Sequence, residues 1–75
     1  MTLDEFVSAF AAEFDETPED QFMADTEFKA LDEWSSLTAL SIIAMVDEQM
    51  DKTITGADIR ASKTIEDLFN LANSK

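Results

Sequence analysis

Leu3, Phe6, Val7, Phe10, Ala11 and Phe14 recur at three- and four-residue spacing, the stripe of a helix with one buried face. Thr2 and Glu5 stand three apart at its start, where a capping box lets each side chain satisfy a free amide. A first helix is predicted over residues 3–14. A second helical pattern runs from Ser36 to Met50. Two more capping-box pairs follow, Thr55 with Asp58 and Thr64 with Asp67. They predict a short third helix through about Ala61, with Gly56 in its first turn, and a fourth carrying Ile65, Leu68, Phe69 and Ala72. No stretch alternates polar and apolar residues over a useful length, as a half-buried strand would. The expected architecture is all-α: a small four-helix bundle forming a single domain over residues 1–75.

Residues 15–35 join the first two main helices. Thr17 and Pro18 suit the cap and first position of a short helical turn. Phe22, Phe28, Leu31 and Trp34 make the segment too apolar for a free linker, and long structureless loops are uncommon in compact domains. These four side chains are expected to pin it to the core. On the second helix, at roughly 100° per residue, Ala39, Ile42, Ile43, Val46 and Met50 share an arc that predicts the core face. Met45 falls near the other border of that arc, and well outside it Leu37, Leu40 and Ala44 form a second apolar patch. Asp47, Glu48 and Asp51 rim it. Apolar anchors with a carboxylate fringe suit docking of a basic protein surface, although the connection could cover part of this patch.

Charge and composition narrow the function. Seventeen carboxylates against five cations give a net charge of −12, which repels nucleic-acid phosphates and steers proteins with basic patches toward the chain. A chain of 75 residues buries a modest core, worth roughly 3–5 kcal/mol of net stability. Without cysteine there is neither disulfide nor thiolate-bound zinc to help. Lacking also histidine and tyrosine, the chain cannot build Ser-His or Cys-His nucleophilic arrangements, and enzymatic activity is not expected. EF-hand spacing fails, since the sixth and twelfth positions from Asp47 hold Lys52 and Asp58, and those from Asp15 hold Asp20 and Thr26. No apolar run nears the ~20 residues of a membrane span, and Met-Thr-Leu-Asp-Glu lacks the basic start of a signal peptide. A cytoplasmic monomer without stable membrane insertion is expected.

Ser36, within Glu33-Trp34-Ser35-Ser36-Leu37, is the one candidate for covalent chemistry. It enters a helix whose unpaired amides and dipole favour an attached phosphodiester. A plain serine cap is the competing reading of the same residues.

In register with the helical pattern, these residues resemble the acyl carrier proteins of fatty acid, polyketide and related biosynthesis. The resemblance spans nearly the whole chain: the first amphipathic helix, Phe28 in the long loop, Ser36-Leu37 opening the second helix, Asp47-Glu48, Ile54, a short third helix and Thr64-Ile65. It implies that a phosphopantetheinyl transferase attaches 4′-phosphopantetheine from coenzyme A to Ser36, that the arm's thiol carries an acyl thioester, and that the bundle can shelter the acyl chain. It further implies that acyl-loading and acyl-processing enzymes grip the second helix, in agreement with the patch at Leu37, Leu40, Ala44, Asp47 and Glu48. One departure concerns the residue before the modified serine. There Ser35 stands in place of the family's usual aspartate, which helps organise the metal ion and transferase around the hydroxyl. Thr38 and Ser41 likewise replace common acidic residues. An aminoacyl or peptidyl carrier, and a carrier-like adapter that binds proteins without being modified, are the alternatives.

Overall fold

The computed structural model describes residues 1–75 and contains four α-helices and no strand. They are α1 (Leu3–Ala11), α2 (Ser36–Met50), α3 (Gly56–Ala61) and α4 (Ile65–Asn73). Three of them start at the anticipated capping boxes: the hydroxyls of Thr2, Thr55 and Thr64 accept the amides of Glu5, Asp58 and Asp67, whose carboxylates accept the threonine amides in return. Each box satisfies amides that the helix itself leaves unpaired. Because the caps are local, they position these helix starts independently of the rest of the fold.

Tertiary packing alters other boundaries. α1 stops at Ala11 rather than Phe14, and the next amides tighten onto nearer carbonyls, Glu13 to Phe10 at 3.1 Å and Phe14 to Ala11 at 3.0 Å. This turn stacks the Phe14 ring on Phe10 at 5.6 Å and brings it against Phe22 at 4.9 Å. In the connection, Thr17 does not cap a helix. Pro18 itself precedes the short 3-10 turn Glu19–Gln21, and the Thr17 hydroxyl donates to Glu33 at 2.7 Å. A second such turn spans Phe28–Ala30.

The connection is pinned as anticipated. Phe22 and Phe28 are buried, and Leu31 and Trp34 pack half-buried against the same core. The segment after Phe22 also reaches α4, whose first two amides, Ile65 and Glu66, donate to Thr26 and Ala24 carbonyls at 3.2 and 2.9 Å. Two otherwise orphaned amides of α4 are thus satisfied by a loop some forty residues upstream.

α1 packs against α2 and α4, and α3 against α4, around one cluster of 14 buried apolar residues. Phe6, Phe10, Phe14, Phe22, Phe28 and Trp34 run through it as a chain of ring contacts, which Phe69 of α4 joins at Phe6. On α2 the buried line is Ile42, Met45 and Val46, while Ala39, Ile43 and Met50 flank it half-buried. Met45, expected at the border of the core arc, is buried within it, and Ile43 and Met50 lie at the core's edge. The helix is apolar on two sides, so polarity contrast alone cannot locate the buried direction to within a residue. No helix is long and apolar enough to cross a membrane.

Candidate functional site

Ser36 is the first residue of α2 and is exposed. Its surroundings are built by the three residues before it. Trp34 wedges into the core, with its ring 5.0 Å from Phe28 in edge contact and 6.4 Å from Phe14 in a stack. Ser35 is the N-cap: its backbone is extended, and its Oγ accepts the Thr38 amide at 3.3 Å and lies 3.2 Å from Thr38 Oγ1. The Thr38 hydroxyl donates to the Glu33 carbonyl at 3.1 Å. The expected capping role of Ser35 is present, and it leaves the Ser36 hydroxyl outside the capping bonds. With the Thr38 amide held by Ser35 Oγ and the Ala39 amide by the Ser35 carbonyl, the amides of Ser36 and Leu37 stay outside the helix's own bonds, at the positive end of the dipole of a 15-residue helix.

Glu33 holds this entrance to the far end of the connection. Its carboxylate accepts the amides of Asp15, Glu16 and Thr17 at 2.9, 3.1 and 2.9 Å, together with the Thr17 hydroxyl. The Thr17 hydroxyl, and then these amides, hold the Glu33 carboxyl below its ordinary value of 4.5. Such charge-assisted bonds are stronger than neutral ones. Sequence reading gave Glu33 no such role, and no local signal could have: its partners lie 16 to 18 residues away. The clamp ties the start of the connection to the residue three before Ser36.

A carboxylate with a depressed folded value contributes stability that is complete above its unfolded value and is lost as pH falls through the folded one. Glu33→Gln keeps the shape and removes the charge. It should therefore lower the urea midpoint at neutral pH, and the gap to wild type should close as the pH drops below 4.5. Urea titrations of both proteins across that range check this. An undiminished gap in strong acid, or no gap at neutral pH, would be incompatible with the clamp.

The remaining predicted site residues share the outward side of α2. Leu37 is 74% exposed and Leu40 62%, while Ala44, Asp47 and Glu48 are also exposed. At roughly 100° per residue they stand opposite Ile42, Met45 and Val46. The connection does not cover the two leucines. Asp51, grouped with this rim from the sequence, ends the helix instead in the left-handed region at φ 55°, a conformation that aspartate tolerates better than most side chains. The surface grooves lie elsewhere. The largest, of about 640 Å³, is lined by Met1, Asp4, Glu5, Ser8, Ala9 and Gln49, and no groove borders Ser36.

This division of α2 predicts separable mutant effects. Leu37→Ala and Leu40→Ala should change stability by no more than about 0.5 kcal/mol, as substitutions away from packed features usually do. Ile42→Ala, at a fully buried position, should cost about 2–5 kcal/mol. Urea unfolding of the three variants measures the difference. Comparable losses in all three would mean that the leucines are packed.

No family model, curated protein or solved structure matches this chain.

Proposed function

We propose that this chain is a carrier protein, bearing its cargo on a phosphopantetheine arm attached to Ser36. The observation that carries the reading is the placing of Ser36: an exposed hydroxyl at the first position of the longest helix, held by the Trp34 wedge and the Glu33 clamp. Beside it lies an unpartnered apolar face formed by Leu37, Leu40 and Ala44. The residues fit the group. The serine oxygen can reach solvent, and neighbouring helix amides with a positive dipole end suit a phosphodiester.

When attached, the arm supplies a thiol for thioester chemistry, which a chain without cysteine does not possess. The protein's own part is to present and recognise. Leu37 and Leu40 offer apolar anchors to processing enzymes, and Asp47 and Glu48 offer charges that orient a basic surface. The acyl-carrier reading is preferred to that of an aminoacyl carrier on the strength of the sequence resemblance and the strongly acidic surface.

Incubation with coenzyme A, magnesium and a broad-specificity phosphopantetheinyl transferase tests the proposal. Intact mass should rise by one phosphopantetheine, and the modified peptide should contain Ser36. An unchanged mass under conditions that fully convert a known carrier would overturn the reading and leave the unmodified adapter in its place.

A further inference from the structure

Segments distant in the chain meet at adjacent points just before Ser36. The Phe14 ring stacks on Trp34 at 6.4 Å, and the next residues, Asp15, Glu16 and Thr17, give their amides to the Glu33 carboxylate. Glu33 is bonded at its other end as well. Its carbonyl accepts the Thr38 hydroxyl at 3.1 Å, and the Thr38 amide is held by Ser35 Oγ at 3.3 Å. Thr38 lies in the first turn of α2, two residues after Ser36. Through its side chain Glu33 holds the start of the connection, and through its backbone it holds the first turn of the helix that bears Ser36. The carboxylate oxygens divide the donors: Oε2 takes the Asp15 amide, and Oε1 takes the Glu16 and Thr17 amides with the Thr17 hydroxyl. Every partner is a donor, so both oxygens have to accept. A glutamine ends in one acceptor and one NH2, and in either orientation it sets N–H against N–H.

We propose that Glu33 is a positioning residue for the transfer to Ser36. The inference rests on the carrier reading above and adds the residue that sets how the serine meets the reacting phosphorus. In that transfer the Ser36 oxygen bonds to the pantetheine-bearing phosphorus of coenzyme A. The bond from that phosphorus to the bridging oxygen breaks, adenosine bisphosphate leaves with that oxygen, and the hydroxyl proton passes to a base of the transferase. Attacking and leaving oxygens stand roughly in line in such a step, so its rate depends on where the first turn of α2 is held. A misplacement of about 1 Å arising far from the chemistry can cost about a hundredfold. Glu33 acts on this rate and not on affinity, because the donors of residues 15–17 already occupy its carboxylate.

Single-turnover modification with excess broad-specificity transferase, coenzyme A and magnesium reads the chemical step, and the half-saturating transferase concentration reads binding. Each variant is followed at a temperature where circular dichroism shows it folded. Glu33→Gln should lower the saturated rate by about tenfold or more, with half-saturation within about twofold of wild type. Thr17→Val removes one donor from the clamp and should slow the step by about threefold or more. Thr17→Ser keeps that donor and should match wild type. Added to Glu33→Gln, Thr17→Val should cost nothing further, since residues acting through one network are not additive. Phe69→Ala weakens the core from α4, away from the clamp, and should be modified at the wild-type rate while folded. An unchanged rate in Glu33→Gln, a loss confined to half-saturation, an additive loss in the double variant, or an equal loss in Phe69→Ala would overturn the inference. The carrier reading would stand in each case, because Ser36 would still be modified. Should Glu33→Gln fail to fold, the Thr17 pair decides: a wild-type rate in Thr17→Val, or equal losses in both, overturns the role. Failure of wild type to be modified at all would overturn both readings.

Discussion

Ser36→Ala is expected to take up no phosphopantetheine under conditions that convert wild type completely. Both serines stand at the helix entrance, so the dipole favours neither. Their hydroxyls are used differently. Ser35 Oγ is engaged with the Thr38 amide and hydroxyl, whereas Ser36 sits one residue further on, inside the helix and exposed. Ser35→Ala should therefore still gain one group at Ser36, with a helix-capping loss of about 1 kcal/mol. Ser35→Asp keeps a good cap and restores the carboxylate usual in the resembled family. It should be modified faster than wild type. Intact mass with peptide mapping reads all three variants. A modified peptide containing Ser35 as the attachment point, or conversion of Ser36→Ala, would overturn the assignment.

Phe10→Ala and Phe28→Ala should each leave the chain largely unfolded at 25 °C. Phe10 is fully buried and its ring meets Phe6, Phe14, Phe22 and Phe28 at 6.2, 5.6, 6.3 and 5.3 Å. Phe28 is equally buried and also meets Trp34 at 5.0 Å. Truncating a core phenylalanine costs about 3–5 kcal/mol. A domain this small has roughly 3–5 kcal/mol in all, and 17 carboxylates against five cations add self-repulsion. The loss thus equals the whole margin. Phe69→Ala, at a half-buried edge of the ring chain, should be milder and retain a cooperative transition. Far-UV circular dichroism with thermal melts measures this. A Phe10→Ala melt within a few degrees of wild type would show that the aromatic chain is not what holds the connection in place.

These effects trace to two kinds of information in the chain. The helix starts were legible because a capping box is a contact between residues three apart, and its chemistry is complete within four positions. Thr2-Glu5, Thr55-Asp58 and Thr64-Asp67 needed no knowledge of the fold. The start of α2 was legible too, at the boundary between a polar serine pair and an apolar run. The outward position of Leu37, Leu40 and Ala44 followed from periodicity alone. Other features depended on neighbours distant in sequence. α1 ends at Ala11 because Phe14 turns to meet Phe22 and Trp34, and Met45 is buried because an evenly apolar helix takes its face from the elements packed against it. The Glu33 clamp joins residues 16 to 18 positions apart. The amides of Ile65 and Glu66 find carbonyls some forty residues upstream. By itself the sequence determined the helix starts, their caps and a serine pair at a helix entrance, since short-range hydrogen bonding and periodicity suffice for these. Only the tertiary structure decided how that entrance is tied to the start of the connection and which line of α2 is buried, because such arrangements exist only once distant segments are brought together.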